Sequence, residues 1–438
     1  MLCTNGFATW YVLAHVDGSD ERQRRPHRSN PNVVNLADMS GPMAGIKVVE
    51  VGMWVAGPAA AGILGDWGAE VIKIEPPMGD PMRGIMSLHG NTDNVNPPFE
   101  LDNRNKRSIG LDFSVPEARE IAGALVDESD VFVTNARPAA LVRAGLDYET
   151  LSARHPRLVY AHITGYGLSG DERDRAAFDV GAFWSRAGIA AALAPEGEPL
   201  PYQRGGMGDH MAALAAAGAI SAALFARERT GAGQLVSVSL LRLGMYMVGW
   251  DINMAVRLGF PTVPMTITAP PNPMISAYTA GDGKRFWLLG LQGDRLWPDL
   301  LRAIDRTEWA TDERYATLIS RFENSAALVR ELGAVFSTQS LEEWAEIFDR
   351  EDVWWAPVQL PHELVDDPQA RAAGGFVTVP LDGDGDIEMV ATPIDFLGTP
   401  WAARGPAPEF AQHTEEVLLE LGHSWDRIAK LKELGAVP

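Results

Sequence analysis

The chain has 438 residues, with 37 Lys and Arg against 58 Asp and Glu, so its formal net charge is −21. A body this acidic repels phosphate, which excludes a general nucleic-acid or anionic-membrane surface and requires a few placed cations for any phosphate-bearing ligand. With 46% hydrophobic and 22% charged residues the composition is that of a folded globular protein, and the length predicts more than one folding unit. The single cysteine, Cys3, excludes internal disulfides and thiolate metal clusters and fits a cytoplasmic setting. Nine histidines are scattered without metal-ligand spacing, so no metal site is expected.

Residues 1–38 hold a short apolar stretch at 7–16 and a polar run at 17–32. They lack the basic flank and cleavage site of a signal peptide, and are expected to form a dispensable extension. From 46 onward, short β-branched runs alternate with helical ones. Strand 46–51 is followed by helix 59–67, strand 69–75 and strand 107–112. Helix 116–128, strand 130–134, helix 138–143 and strand 158–164 come next. This alternation predicts an α/β fold with a doubly wound parallel sheet. The mild apolar stretch 211–226 is dominated by Ala and bounded by charge, and reads as a buried helix rather than a membrane span. Beyond 240, Pro-rich turns, an Asp282-Gly283 hairpin, a strand at 286–289 and amphipathic helices predict a smaller domain. Asp382-Gly-Asp384-Gly-Asp386 lacks the glycine and final carboxylate of a calcium loop, since Ile387 and Pro393 stand there, and reads as a hairpin turn.

Two glycine motifs bear on chemistry. Gly165-Tyr-Gly167-Leu-Ser-Gly170 fits a dinucleotide fingerprint and follows a strand, the one support for a nicotinamide oxidoreductase. It leads into Asp171-Glu-Arg-Asp174 where an apolar helix is needed, and so reads as a tight loop. Gly205-Gly-Met-Gly208-Asp209 opens the Ala-rich helix. Asp before a helix is an ordinary N-cap. Glycines that admit a ligand to the backbone, with a helix dipole favouring the ionised carboxylate, also suit a nucleophile. From spacing alone the cap is the favoured reading and the nucleophile stays open. Arg83, Lys106, Arg107 and Arg143 lie near predicted element ends, where phosphate contacts are built, although solvated surface is the default for each.

Gly45-Ile-Lys-Val-Val-Glu-Val, Ala56-Gly-Pro58, Leu64-Gly-Asp-Trp-Gly-Ala-Glu-Val-Ile-Lys-Ile-Glu75 and Gly79-Asp-Pro-Met-Arg83 resemble the opening of the class III CoA-transferases. That family includes formyl-CoA transferase, the carnitine CoA-transferases and α-methylacyl-CoA racemase. The likeness continues through Asn103-Arg-Asn-Lys-Arg-Ser-Ile-Gly-Leu-Asp112, Thr230-Gly-Ala-Gly-Gln and His413-Thr-Glu-Glu-Val417, in the family's order over about 44–438.

The resemblance implies a Rossmann-like CoA-binding domain built from 39–240 and 345–438, a small domain with linkers at 241–344, and an interlocked homodimer. It implies acyl-CoA and a carboxylic acid as partners, with CoA as a substrate and no tightly bound cofactor. Asp209 matches the aspartate that becomes acylated, and Gly206 and Gly208 are candidates for oxyanion contact or close backbone approach. Asp179 matches a supporting acidic position. Arg83, Lys106, Arg107, Arg143 and Ala56 match or neighbour CoA contacts. The racemase branch needs a histidine where Phe178 stands, so transferase chemistry is expected over α-proton exchange. Val55 and Met53 replace formyl-CoA transferase residues, which points away from formate and oxalate. Trp54, Phe178, Phe183, Trp184 and Trp250 are candidates for a larger acyl pocket.

Overall fold

The computed structural model describes residues 41–88, 90, 95–195, 197–381, 383 and 385–438. The expected extension at 1–38 lies outside the described residues, as do Asp382 and Asp384.

Six strands form one sheet: β1 (Lys47–Val51), β2 (Glu70–Glu75), β3 (Lys106–Gly110), β4 (Val131–Thr134), β5 (Val159–Thr164) and β6 (Leu235–Ser239). All neighbours are parallel and the order is β3-β2-β1-β4-β5-β6, so the strand order reverses between β1 and β4. Such a reversal opens a crevice beyond the carboxyl ends of the two central strands, where open α/β sheets bind ligands. Short β-branched runs buried on both faces account for the central strands. β6 was not expected: its Leu-Val-Ser-Val-Ser pattern is brief and half-buried, and its place is set by pairing with β5.

Helices cover both faces. On one, α1 (Ala56–Asp66) packs against the helix Met207–Thr230 through Ala and Gly positions that let the backbones approach. At Gly62 a side-chain carbon would lie 2.7 Å from the Asp102 carbonyl oxygen, so only glycine admits the segment ending at Asn103. The long helix exceeds the expected 211–226 by several residues and is apolar and long enough to cross a membrane. Its Ala212, Ala213, Ala216, Ala217 and Ile220 lie in the core instead.

The opposite face is covered by Pro116–Asp127, Tyr148–Arg154 and two helices from the far end of the chain, Thr414–Glu420 and Trp425–Glu433. The returning segment is stitched to β3. Gly110 donates to Thr414 Oγ1, the Asp112 amide donates to the Ala436 carbonyl, and Arg107 pairs with Glu416 and Glu420. Proline at the first turn of Pro116–Asp127 and Pro138–Ala144, after an extended residue, starts those helices where an amide hydrogen is not needed.

A separate aromatic core runs from Met274 to Phe348 around a three-stranded antiparallel sheet, β7 (Ala277–Thr279), β8 (Arg285–Leu288) and β9 (Trp355–Pro357). The Asp282-Gly283 turn joins β7 to β8, with Gly283 at φ +82°. β9 enters this sheet from residues past 344. β10 (Phe376–Pro380) and β11 (Asp386–Val390) form the antiparallel hairpin expected around the Asp-Gly run.

Candidate active site

The crevice is shaped first by charge buried beneath it. Glu50 near the end of β1 receives Lys73 Nζ at 2.8 Å and Lys106 Nζ at 2.7 Å. Lys73 also donates to Asp80 and to the Gly52 carbonyl, and Lys106 to the Pro58 carbonyl and Asn103. Beside them, Glu75 binds both arms of Arg83 and Ser108. Three carboxylates and three cations balance, which is what permits burial. Burial pushes the Lys106 amine down to about 8 and the second cation, Lys73, adds to this, with Glu50 opposing. Asp80 then accepts the Trp54 amide, fixing the β1–α1 loop with Trp54 in the left-handed region at φ +67°. Asn135, just past β4, holds the Met53 amide and carbonyl and closes the other side of the crevice.

The long helix delivers Asp209. Gly206 adopts φ +74° before the helix, and Asp209 lies in its first turn. Asp179 is 8% exposed, and among the described residues its hydrogen bonds come from amide donors. Its Oδ1 accepts from Val180, and its Oδ2 accepts from Gln203 Nε2 at 2.8 Å and from the Gly208 amide at 3.1 Å. His210 Nε2 lies 2.9 Å from Asp102 Oδ1, and its ring rests against Gly206.

Asp209 therefore shares a half-enclosed site with two other carboxylates. Burial pushes its pKa up to about 7, reinforced by the charges of Asp179 and Asp102 and opposed by His210. Burial also opposes a charge on His210, but the hydrogen bond and charge of Asp102, with Asp209 and Asp179, outweigh it and raise its pKa. A carboxylate tuned toward neutrality is more basic than a free Asp yet still substantially ionised at pH 7, which suits a nucleophile.

Several expected site residues are placed otherwise. Lys106 is fully buried and spends its three donors on Glu50, Pro58 and Asn103, so it supports the loop from below and does not face a phosphate. Arg83 is committed to Glu75 and the Pro408 carbonyl and lies over the Phe99 ring. Arg107 is committed to Glu416 and Glu420 on the returning segment. Lys106 and Arg107 were drawn to acidic partners remote in sequence, which motif spacing does not reveal, and Arg83 to Glu75 at the end of the strand just before it. Gly208 differs from expectation too: its amide is taken by Asp179, and its missing side chain makes room for Phe183, whose side-chain atoms would lie 2.6–2.8 Å from an added carbon. Ala56 is buried at the start of α1.

Arg143 is exposed, and Arg137 is exposed immediately beyond β4. Arg137 was not singled out in the sequence. Its signal was available, a cation following the fourth strand, but its value depends on β4 lying next to β1. Asp102, Gln203 and His210 were missed for a related reason: the Asp102–His210 contact spans 108 residues.

Of the acyl-pocket candidates, Trp54 and Phe178 meet edge to face at 5.6 Å, and Phe178 is 59% exposed. Phe183 is buried under the long helix, Trp184 donates to the Pro201 carbonyl, and Trp250 is 90% exposed on a helix with no buried residue. Gly165–Gly170 leads into turns, not a helix, and Gly165 packs on Ala177, so the loop reading holds there. Among the described residues no cluster of His, Cys, Asp or Glu is arranged to hold a metal ion.

The sequence profile of CoA-transferase family III matches residues 43–414. The chain is 34% identical over 396 residues to (R)-2-hydroxy-4-methylpentanoate CoA-transferase of Clostridioides difficile, covering 89% of this chain and 98% of that protein. It is 33% identical over 394 residues to cinnamoyl-CoA:phenyllactate CoA-transferase of Clostridium sporogenes, covering 89% and 96%. A CAIB/BAIF family protein from Brucella suis superimposes with a TM-score of 0.77 at 30% identity, covering 87% of this chain and all of that one. With a parallel sheet reversing at β1 and β4 and this match along most of its length, the chain belongs to CoA-transferase family III.

Proposed function

We propose that the protein moves CoA from an acyl-CoA to a free carboxylic acid through covalent intermediates on Asp209. An Asp209 carboxylate oxygen attacks the thioester carbonyl, the C–S bond breaks, and CoA leaves as a thiolate, giving an acyl-aspartyl anhydride. The thiolate attacks the Asp209 carbonyl and displaces the donor acid, leaving an enzyme-bound thioester. The acceptor carboxylate then attacks that thioester, and the returning thiolate takes the new acyl group and frees Asp209. Negative charge is conserved at every step, so no net proton transfer is needed. The observation that carries this reading is Asp209 in the first turn of the long helix with its pKa moved to about 7 by burial and two neighbouring carboxylates.

Asp179 supports the reading by clamping the Gly208 amide, which orients the turn that presents Asp209. Arg137, exposed just past β4, and Arg143, exposed in the last turn of the helix Pro138–Ala144, suit the phosphates of CoA in an otherwise acidic body. The Trp54–Phe178 pair and the relatives' 2-hydroxy-4-methylpentanoate and phenyllactate favour a branched or aromatic acid over formate. A homodimer fits the exposed apolar surface that includes Tyr246, Trp250, Val256, Phe260 and Val263.

The test is mass spectrometry after incubation with branched and aryl acyl-CoAs, with hydroxylamine used to cleave the adduct. A hydroxylamine-sensitive adduct on Asp209 is expected. An adduct on another residue, or none across the panel, would overturn the assignment.

A further inference from the structure

Asp102 presents an accounting problem that the transfer chemistry does not use. It is 3% exposed at the end of the helix Pro97–Asn103, and its backbone carbonyl is pressed against Gly62 of α1. Its neighbour Asn103 is tied to Lys106 and to the Phe99 carbonyl, so the segment has little freedom to turn the carboxylate elsewhere. Among the described residues, the side chain's hydrogen bond goes to one group, His210 Nε2. A carboxylate this buried is costly without a cation beside it. Lys106 is near, but its three donors are already committed.

His210 connects this buried anion to the nucleophile. It follows Asp209 in the opening of the long helix, its side chain is 41% exposed, and the ring edge away from Asp102 lies on Gly206. The charged groups around it are Asp102 from the helix Pro97–Asn103, Asp209 from its own, and Asp179 from the segment after β5. Lys106 lies behind Asp102. Three carboxylates thus face one imidazole.

We infer that His210, protonated and held in place by Asp102, is the counter-cation of Asp209 and acts as the positioning residue that keeps the nucleophile ionised at neutral pH. This rests on the assignment of Asp209 as nucleophile. Without the imidazolium, Asp209 sits with two like charges and takes up a proton at a higher pH. An opposite charge within about 4–6 Å lowers a carboxyl pKa by about 1 to 3 units, and the His210 charge acts on Asp209 in that direction, so its loss moves the ionisation upward. Asp102 serves the nucleophile indirectly, by fixing the ring and its charge, as an outer carboxylate does for a metal-bound histidine.

The test compares the pH dependence of Asp209 adduct formation in the wild type, His210→Gln and Asp102→Asn, using the full chain and one acyl-CoA donor that labels the wild type. Glutamine can keep a hydrogen bond to Asp102 but carries no charge. The expected result is an acid limb displaced upward by about one pH unit in His210→Gln, and by less in Asp102→Asn, because that variant also removes one of the carboxylate charges that raise the Asp209 pKa. Rates should converge toward wild type at alkaline pH. A lower rate with an unmoved limb would assign His210 a purely structural role and overturn the inference. If either variant fails to fold, histidine Cε1–H NMR titration of the wild-type protein decides. His210 charged through pH 7 supports the inference, and a neutral ring at pH 6.5 overturns it. Failure to label Asp209 in the wild type at any pH would instead remove the nucleophile assignment, so the two failures are distinguishable.

Discussion

Replacing Asp209 by Asn should stabilise the protein, and do so increasingly as pH rises. The folded carboxyl titrates near 7 against 3.8 for an ordinary Asp. That difference corresponds to about 4 kcal/mol between the two protonation states. Below pH 3.8 the carboxyl is protonated in both folded and unfolded chains, and the penalty is absent. Between 3.8 and 7 the folded chain binds the proton that the unfolded chain has lost, so stability falls with rising pH until the penalty saturates above 7. Asn escapes the titration. At about 2.1 cal/mol/K per residue of unfolding entropy, a gain of about 4 kcal/mol raises Tm by about 4–5 °C in a chain this long. His210 loses one of its three anions in the variant, which returns part of the gain. The assay is thermal unfolding of both proteins at pH 4, 6 and 8, followed by circular dichroism. A Tm difference that is flat across this range, or a variant less stable at pH 8, would show that the site does not hold Asp209 against its charge.

Other substitutions test neighbouring parts of the site. Asp179→Asn removes the largest neighbouring charge raising the Asp209 pKa, so the acid limb of adduct formation should move to lower pH, opposite to His210→Gln. Gly208→Ala drives a methyl into Phe183, and should cost about 1–3 kcal/mol by urea unfolding and slow Asp209 labelling; Phe183→Leu in the same chain should recover part of both. Lys106→Met leaves Glu50 with Lys73 as its one cationic partner, and should cost about 3–5 kcal/mol in the same assay. Arg137→Glu and Arg143→Glu should raise KM for acyl-CoA several-fold with little change in Tm, because both side chains are exposed.

The sheet was legible because its strands are short β-branched runs whose burial on two faces leaves a local signature. Strands 1, 2, 4 and 5 are of that kind. β6 is not, since half its residues meet solvent and its position depends on β5. Asp209 and its glycines were legible because a turn into a helix leaves adjacent residues in sequence. The cations were not. Lys106 and Arg107 occupy suggestive positions, yet each is claimed by carboxylates whose proximity is created by folding, Glu50 across two strands and Glu416 with Glu420 from some 300 residues away, while Arg83 is claimed by Glu75 at the end of the strand just before it. The nucleophile's electrostatic setting was equally hidden. A helix dipole alone suggests a depressed pKa, whereas the enclosed site with Asp179 and Asp102 reverses that direction.

The stitching of residues 414–438 onto β3 also sets an order of events during biosynthesis. β6 leaves the ribosome well before Thr414, and ribosomes add about 5–20 residues per second, so the intervening 170 or so residues take about 10 to 35 s. Throughout that interval Ile109, Leu111 and Phe132 lack the cover that Val417, Leu418, Ile428 and Leu431 later supply. The nascent sheet thus passes through a period with one apolar face incompletely covered, when chaperone capture and misassociation compete with closure.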